Sequence, residues 1–139
     1  MPTSALTKFY PFLEAAFEKK HNLGSDTLII WLSNTAPAQT NAVLTDITQV
    51  SYTNMSSRAI TISSSSQTTG TYSLVLADAT LTMSGGASPT FRYVGIYNDT
   101  ATNDDLVGGW LDYGVGGVTL ADLESLVIDF NAAGFFTAA

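Results

Sequence analysis

The chain has 139 residues, five basic against twelve acidic side chains for a net charge of −7, and no cysteine. This length fits one domain that buries roughly 68–70% of its unfolded surface without covalent staples. The acidic balance repels phosphate backbones and anionic lipid surfaces, so neither nucleic acid nor membrane is an expected partner. The lack of cysteine excludes disulfides, thiolate metal sites and cysteine nucleophiles. No apolar run reaches the roughly 18 residues of a spanning helix. The opening MPTSALTKFYPF lacks the basic and apolar segments of a signal peptide, so none is expected.

Charge is unevenly placed. Residues 1–20 carry Lys8, Lys19 and Lys20 against Glu14 and Glu18, a net of +1, whereas the rest carries Arg58 and Arg92 against ten acids, a net of −8. This shift divides the chain into an N-terminal arm or helix over 1–24 and a β-sandwich domain over 25–139. In the arm, Phe9, Phe12, Leu13, Ala16 and Phe17 recur at the helical period and form one apolar stripe. Thr7 is the expected N-cap, Pro11 is tolerated in the first turn, and Gly24 ends the segment after the Lys19–Lys20–His21 run.

Beyond Gly24 the pattern becomes short runs at period two. Thr27–Ser33 (TLIIWLS) reads as a strand buried on both faces. Residues 34–41 form a loop, and 42–52 have mixed spacing that fits a strand or a short helical turn. Arg58–Ser63 alternates, Ser63–Gly70 (SSSSQTTG) reads as a polar turn or exposed tip, and Tyr72–Leu76 alternates again. Thr80–Met83 is a further short run, ended by Gly85–Gly86. Phe91–Tyr97 (FRYVGIY) is the strongest strand signal, and the loop Asn98–Asp105 follows it. Leu106–Tyr113 and Leu126–Phe130 are the last strands, separated by Gly114–Gly117 and a short LADLE segment. Seven or eight strands with turn signals between them predict an all-β fold, a single jelly-roll-like β-sandwich with one N-terminal amphipathic α-helix.

Chemistry is sparse along this scaffold. His21 is the single histidine and is expected as an ordinary helix-end residue; no G-x-S-x-G elbow accompanies it. The acids Asp99, Asp104, Asp105, Asp112, Asp122, Glu124 and Asp129 fall mostly in loops, and Asp129 alternates outward against Leu126, Ile128 and Phe130. Trp31, Tyr93, Tyr97 and Trp110 suit a sandwich core as well as a sugar cleft. Asp99, Asn103, Asp104 and Asp105 offer hard oxygen ligands for calcium but lack the glycine and glutamate of an EF-hand loop, so a solvated acidic loop is expected. One histidine without cysteine makes no zinc site. Gly108–Gly109 and Gly114–Gly117 lack the lysine and helix of a P-loop and read as turns and a bulge that makes room for Trp110. Asn54 and Asn98 match a glycosylation sequon, which carries little weight without a signal peptide. No enzyme, cofactor or resident metal is expected.

Several segments together resemble a family of small structural proteins of tailed bacteriophages. An opening amphipathic helix is followed by DTLIIWLSNTAP, then FRYVGIYNDT, LVGGWLDYG and LVIDFNAAGFF, in the family's order; residues 42–86 match only in style. The resemblance implies a β-sandwich virion protein, a head decoration (cement) protein on the capsid exterior, synthesised in the host bacterial cytoplasm. Such proteins bind the major capsid protein, often as homotrimers near three-fold positions, and clamp capsomers against internal DNA pressure. Phe9, Phe12, Leu13 and Phe17 on the helix, with Phe135 and Phe136 near the C-terminus, are the expected contacts to capsid or sister subunits. The alternative is a tail-fibre or tail-associated receptor-binding module recognising a host surface glycan through a cleft around Trp110 and Asp112.

Overall fold

The structure, a computed structural model, describes residues 6–139. Its fold is all-β with one short helix. In chain order the elements are β1 (Thr7–Lys8), α1 (Tyr10–Phe17), β2 (Leu28–Ser33), a 3-10 turn (Leu44–Asp46), β3 (Ala59–Ile60), β4 (Ile62–Thr68), β5 (Thr71–Leu76), β6 (Ala79–Thr82), β7 (Tyr93–Asn98), β8 (Asp105–Asp112), β9 (Ser125–Ile128) and β10 (Phe136–Ala138). The strands form three antiparallel sheets, ordered β1-β8-β7-β2-β3, β10-β5-β4 and β6-β9. Among the described residues no helix is long and apolar enough to cross a membrane.

The large sheet forms where the sequence is most apolar. β2 pairs with β7 over six residues, and β7 lies between β2 and β8, buried along its whole length. Both faces are covered, which explains why Thr27–Ser33 lacks polar alternation. The pair Gly108–Gly109 forms the bulge expected beside Trp110: the β7–β8 register slips between Gly95 and Ile96, and Gly108 takes φ +69°. Gly109 is required there because a Cβ would lie 1.9 Å from the Thr7 carbonyl oxygen of β1. One hydrophobic core joins the large sheet, through Leu28, Ile30 and Leu32, to Leu74 and Leu76 of β5 and to Leu81 and Ile128 of the smaller pair.

Among the described residues of the N-terminal segment, Phe9, Phe12 and Leu23 belong to this core. Thr7 and Lys8 add an edge strand opposite Trp110 and Gly109, and the Phe9 amide donates to the Gly108 carbonyl at 3.0 Å. Thr7 is therefore a strand residue, and Phe9 takes the N-cap position without a side-chain cap. Pro11 falls in the first turn as expected, and Lys19 reverses the chain at φ +67° after the helix ends. The Ser63–Gly70 stretch is a further correction. Ile62–Thr68 is a strand paired to β5, and only Thr69 (φ +49°) and Gly70 (φ +86°) make the turn. Two consecutive left-handed residues are what a tight hairpin needs to match strand twist.

Candidate functional site

The helix does not present its aromatic stripe as one surface. Phe9 is fully buried, with its ring 4.9 Å from Trp110 and 6.3 Å from Trp31. Phe12 is 1% exposed and packs edge-on against Phe136 at 5.0 Å. Both are consumed by the chain's own core, which removes them as contacts to another protein. Leu13 is half-buried, whereas Phe17 is 86% exposed. Phe135 and Phe136 are half-buried against the core, Phe135 edge-on to Phe130 at 5.7 Å.

Phe17 stands at the rim of an open, largely apolar groove of about 500 Å³. The end of α1 and the segment His21–Gly24 form one wall; Ser65, Tyr72 and Phe136 from the three-stranded sheet form the other. A Tyr72 hydroxyl–Ser65 hydroxyl hydrogen bond of 2.8 Å fixes the far wall, and Phe136 lies 6.2 Å from the Tyr72 ring. The neighbouring polar cavity, about 340 Å³, is lined by Lys19, Lys20, Asp105 and the turn Thr100–Asn103.

Between the two lies a polar cluster that the sequence did not announce. Asn98 is fully buried at the end of β7; its amide oxygen accepts from the Thr100 and Ala101 amides at 2.9 and 3.3 Å. That fixes its NH₂ group as the donor to Asp26 Oδ2 at 2.6 Å and to His21 Nδ1 at 3.0 Å. His21 Nδ1 must accept, so the neutral ring carries its proton on Nε2, which is buried without a partner among the described residues. The nearest hints in the sequence were Asn98 directly after the apolar run Phe91–Tyr97 and Asp26 directly before the apolar run Thr27–Ser33.

Burial holds the His21 pKa below its usual 6.5; Lys20 adds to this, and Asp105 and Asp26 oppose it. A second proton would also aim Nδ1–H at the Asn98 NH₂ group, whose oxygen is already committed to the turn. The unfolded chain binds that proton more readily, so this contribution to stability is complete above pH 6.5 and is lost as pH falls through the lower folded value. Urea midpoints measured between about pH 5 and 8 should decline on the acid side, with a slope below the ceiling of about 1.4 kcal/mol per pH unit for one proton. His21→Gln should flatten that decline; an unchanged slope would exclude His21 as its source.

The other expected sites resolve plainly. Among the described residues no group of three acidic or histidine side chains is arranged to hold a metal ion. Asp99 and Asn103 are exposed and Asp105 is buried, so the calcium candidates are dispersed around the β7–β8 turn. Trp110 is 8% exposed beneath Phe9, and Asp112 accepts two hydrogen bonds of 2.7 Å from Arg92. Among the described residues no aromatic–carboxylate cleft forms there. The Arg92 guanidinium holds the Asp112 carboxyl below the usual carboxylate range. Asp129 faces outward, with Ile128 and Phe130 turned inward. No family model, curated protein or solved structure matches this chain.

Proposed function

We propose that this chain is a structural protein of a tailed-bacteriophage virion, a head decoration protein that binds the outside of the capsid and stabilises contacts between capsomers. The observation that carries this reading is Phe17, 86% exposed beside an apolar groove of about 500 Å³. An exposed large aromatic next to such a groove is compatible with a protein-contact surface, and the ordered motifs resemble those of phage structural proteins. The surface chemistry is compatible. β4 offers serines, a glutamine and a threonine without a charge, and the acidic net charge keeps the protein off packaged DNA.

The action is thermodynamic. A protein that binds the assembled shell but not its dissociated parts stabilises the shell by mass action, and many symmetry-related copies multiply the effect. On this reading Phe17 and the groove meet a neighbouring protein on the shell, either a capsid subunit or a sister copy. The test is co-sedimentation of the purified chain with capsids of its phage that lack it, followed by heating. Stoichiometric binding and a raised disruption temperature are expected, both weakened by Phe17→Ser. Failure to bind capsids would overturn the head placement and direct the search to the tail and the host surface.

A further inference from the structure

The polar cavity of about 340 Å³ is lined by Lys19, Lys20 and Asp105, which have no ion-pair partner among the described residues. Asp105 opens β8 directly across from Asn98, so the two side chains share one face of the sheet. On that face Asp105 and Asp26 both lie close enough to His21 to favour its charged form. Asp26 is occupied: its Oδ2 accepts from the Asn98 NH₂ group at 2.6 Å and from the Asn22 amide at 2.7 Å. Asp105 is only 9% exposed, yet among the described residues its carboxylate has no hydrogen bond or ion pair. A carboxylate buried without a donor is unfavourable, and the space it borders is this cavity.

The rest of the lining is held in place by the backbone. Lys19 turns the chain at φ +67°, and the Lys20 amide donates to the Ala15 carbonyl at 3.0 Å. Both lysines are exposed. In the β7–β8 turn, Asn98 Oδ1 accepts from the Thr100 and Ala101 amides, and the Asp104 amide donates to the Ala101 carbonyl at 3.1 Å. This turn brings Thr100, Thr102 and Asn103 to the cavity. Thr100 Oγ1 accepts from the Thr27 amide at 2.9 Å, which leaves its hydroxyl proton to donate. Among the described residues no aromatic or branched aliphatic side chain lines the cavity.

These groups define their complement. Ammonium groups only donate and an ionised carboxylate only accepts, so a ligand must bring acceptors to the lysines and a donor to Asp105. A metal ion would suit Asp105 but meet two lysines, and a bare anion would suit the lysines but meet Asp105. Two cations against one anion favour a ligand of net charge −1, and the threonines and Asn103 match hydroxyl groups. A nucleobase or an apolar ring would find no surface to pack on. We propose that this cavity binds a sugar acid, its carboxylate held by Lys19 and Lys20 and a ring hydroxyl donating to Asp105. Thr100, Thr102 and Asn103 take the remaining hydroxyls. The site goes beyond the decoration reading and does not depend on it.

Amide NMR titration of the full chain with galacturonate tests this. Saturable shifts are expected at Lys19, Lys20 and residues 100–105. Galactose lacks the carboxylate, acetate lacks the hydroxyls and serine is a neutral zwitterion; each should bind about tenfold more weakly or worse. Lys20→Gln should weaken galacturonate and acetate alike. Asp105→Asn should weaken galacturonate about tenfold but strengthen acetate, because it removes a donor's partner and a repelling charge together. A purely structural role for Asp105 would not move the two probes in opposite directions. Lys8→Gln removes an equal charge opposite Gly109 and should change neither. The exposed Lys19→Gln and Lys20→Gln variants carry the test if Asp105→Asn does not fold. Trigalacturonate binding more tightly than the monomer would place the acid within a polysaccharide, and equal binding would indicate the free acid. No saturable shifts at these residues, acetate or serine binding as well as galacturonate, or full binding by both lysine variants would overturn the proposal. Capsid binding, read through Phe17→Ser, stands or falls separately.

Discussion

Phe12→Ser should cost about 3–5 kcal/mol of folding stability, whereas Phe17→Ser should shift it by no more than about 0.5 kcal/mol, although the two lie on one helix. Phe12 is 1% exposed, and its ring supports Phe136 at 5.0 Å and His21 at 5.5 Å. A serine there leaves a cavity and a hydroxyl for which the surrounding rings provide no acceptor. Phe136 would lose its backing, and with it the docking of β10 onto β5, so one wall of the groove would loosen as well. Phe17 is 86% exposed, so its removal withdraws little from the core. Urea titrations read both effects directly, and capsid binding by folded Phe17→Ser reads function separately. A Phe12→Ser protein with an unchanged midpoint would refute the placement of the helix against β10.

The reason these two phenylalanines part company also explains what the sequence disclosed and what it withheld. Successive helical residues are about 100° apart, so Phe12 and Phe17 are separated by about 140° around the axis. The buried face is centred between Phe12 and Ala15, about 100° around the axis from the midpoint of the apolar stripe, which lies between Leu13 and Ala16. The periodicity was real, but Phe9 precedes the helix, and the helix is rotated so that one edge of the stripe, Phe12, turns inward and the other, Phe17, turns to solvent. β2, β7 and β8 were legible because burial on both faces leaves runs that only a central strand tolerates. β4 was illegible for the opposite reason: its serines carry no apolar signal, and backbone pairing to β5 defines it. β1 and β10 span two and three residues, too short to leave a period. The His21–Asn98–Asp26 cluster joins residues more than 70 positions apart, and no local rule connects them. For the groove, the sequence supplied Phe17 and Phe136 but not Tyr72, Ser65 or the loop that brings them together.

Gly95→Ala should be among the most damaging single-methyl changes available to this chain, and Trp31→Phe should rescue it. Gly95 lies at the centre of β7, directly opposite Trp31 on β2 and Trp110 on β8. A Cβ there would fall 2.2 Å from Trp31 Cζ2, 2.5 Å from Cε2 and 2.9 Å from Nε1. Trp31 is fully buried and Phe9 packs beside both indoles, so the ring has no free space into which to swing. Overpacking of this kind costs typically 1–3 kcal/mol, and the contact distances place Gly95→Ala at or above the top of that range. All three colliding atoms belong to the part of the indole that a phenyl ring lacks or withdraws. Trp31→Phe alone opens a cavity, but it also deletes the buried Nε1–H, which has no hydrogen-bond partner among the described residues; relieving such a donor recovers about 1–3 kcal/mol. The single Trp31→Phe change should therefore be milder than its volume loss suggests. In a double-mutant cycle the pair should be more stable than the sum of the singles predicts, a coupling of about 0.5–3 kcal/mol. Strict additivity would mean that Gly95 is required for some reason other than the indole across from it.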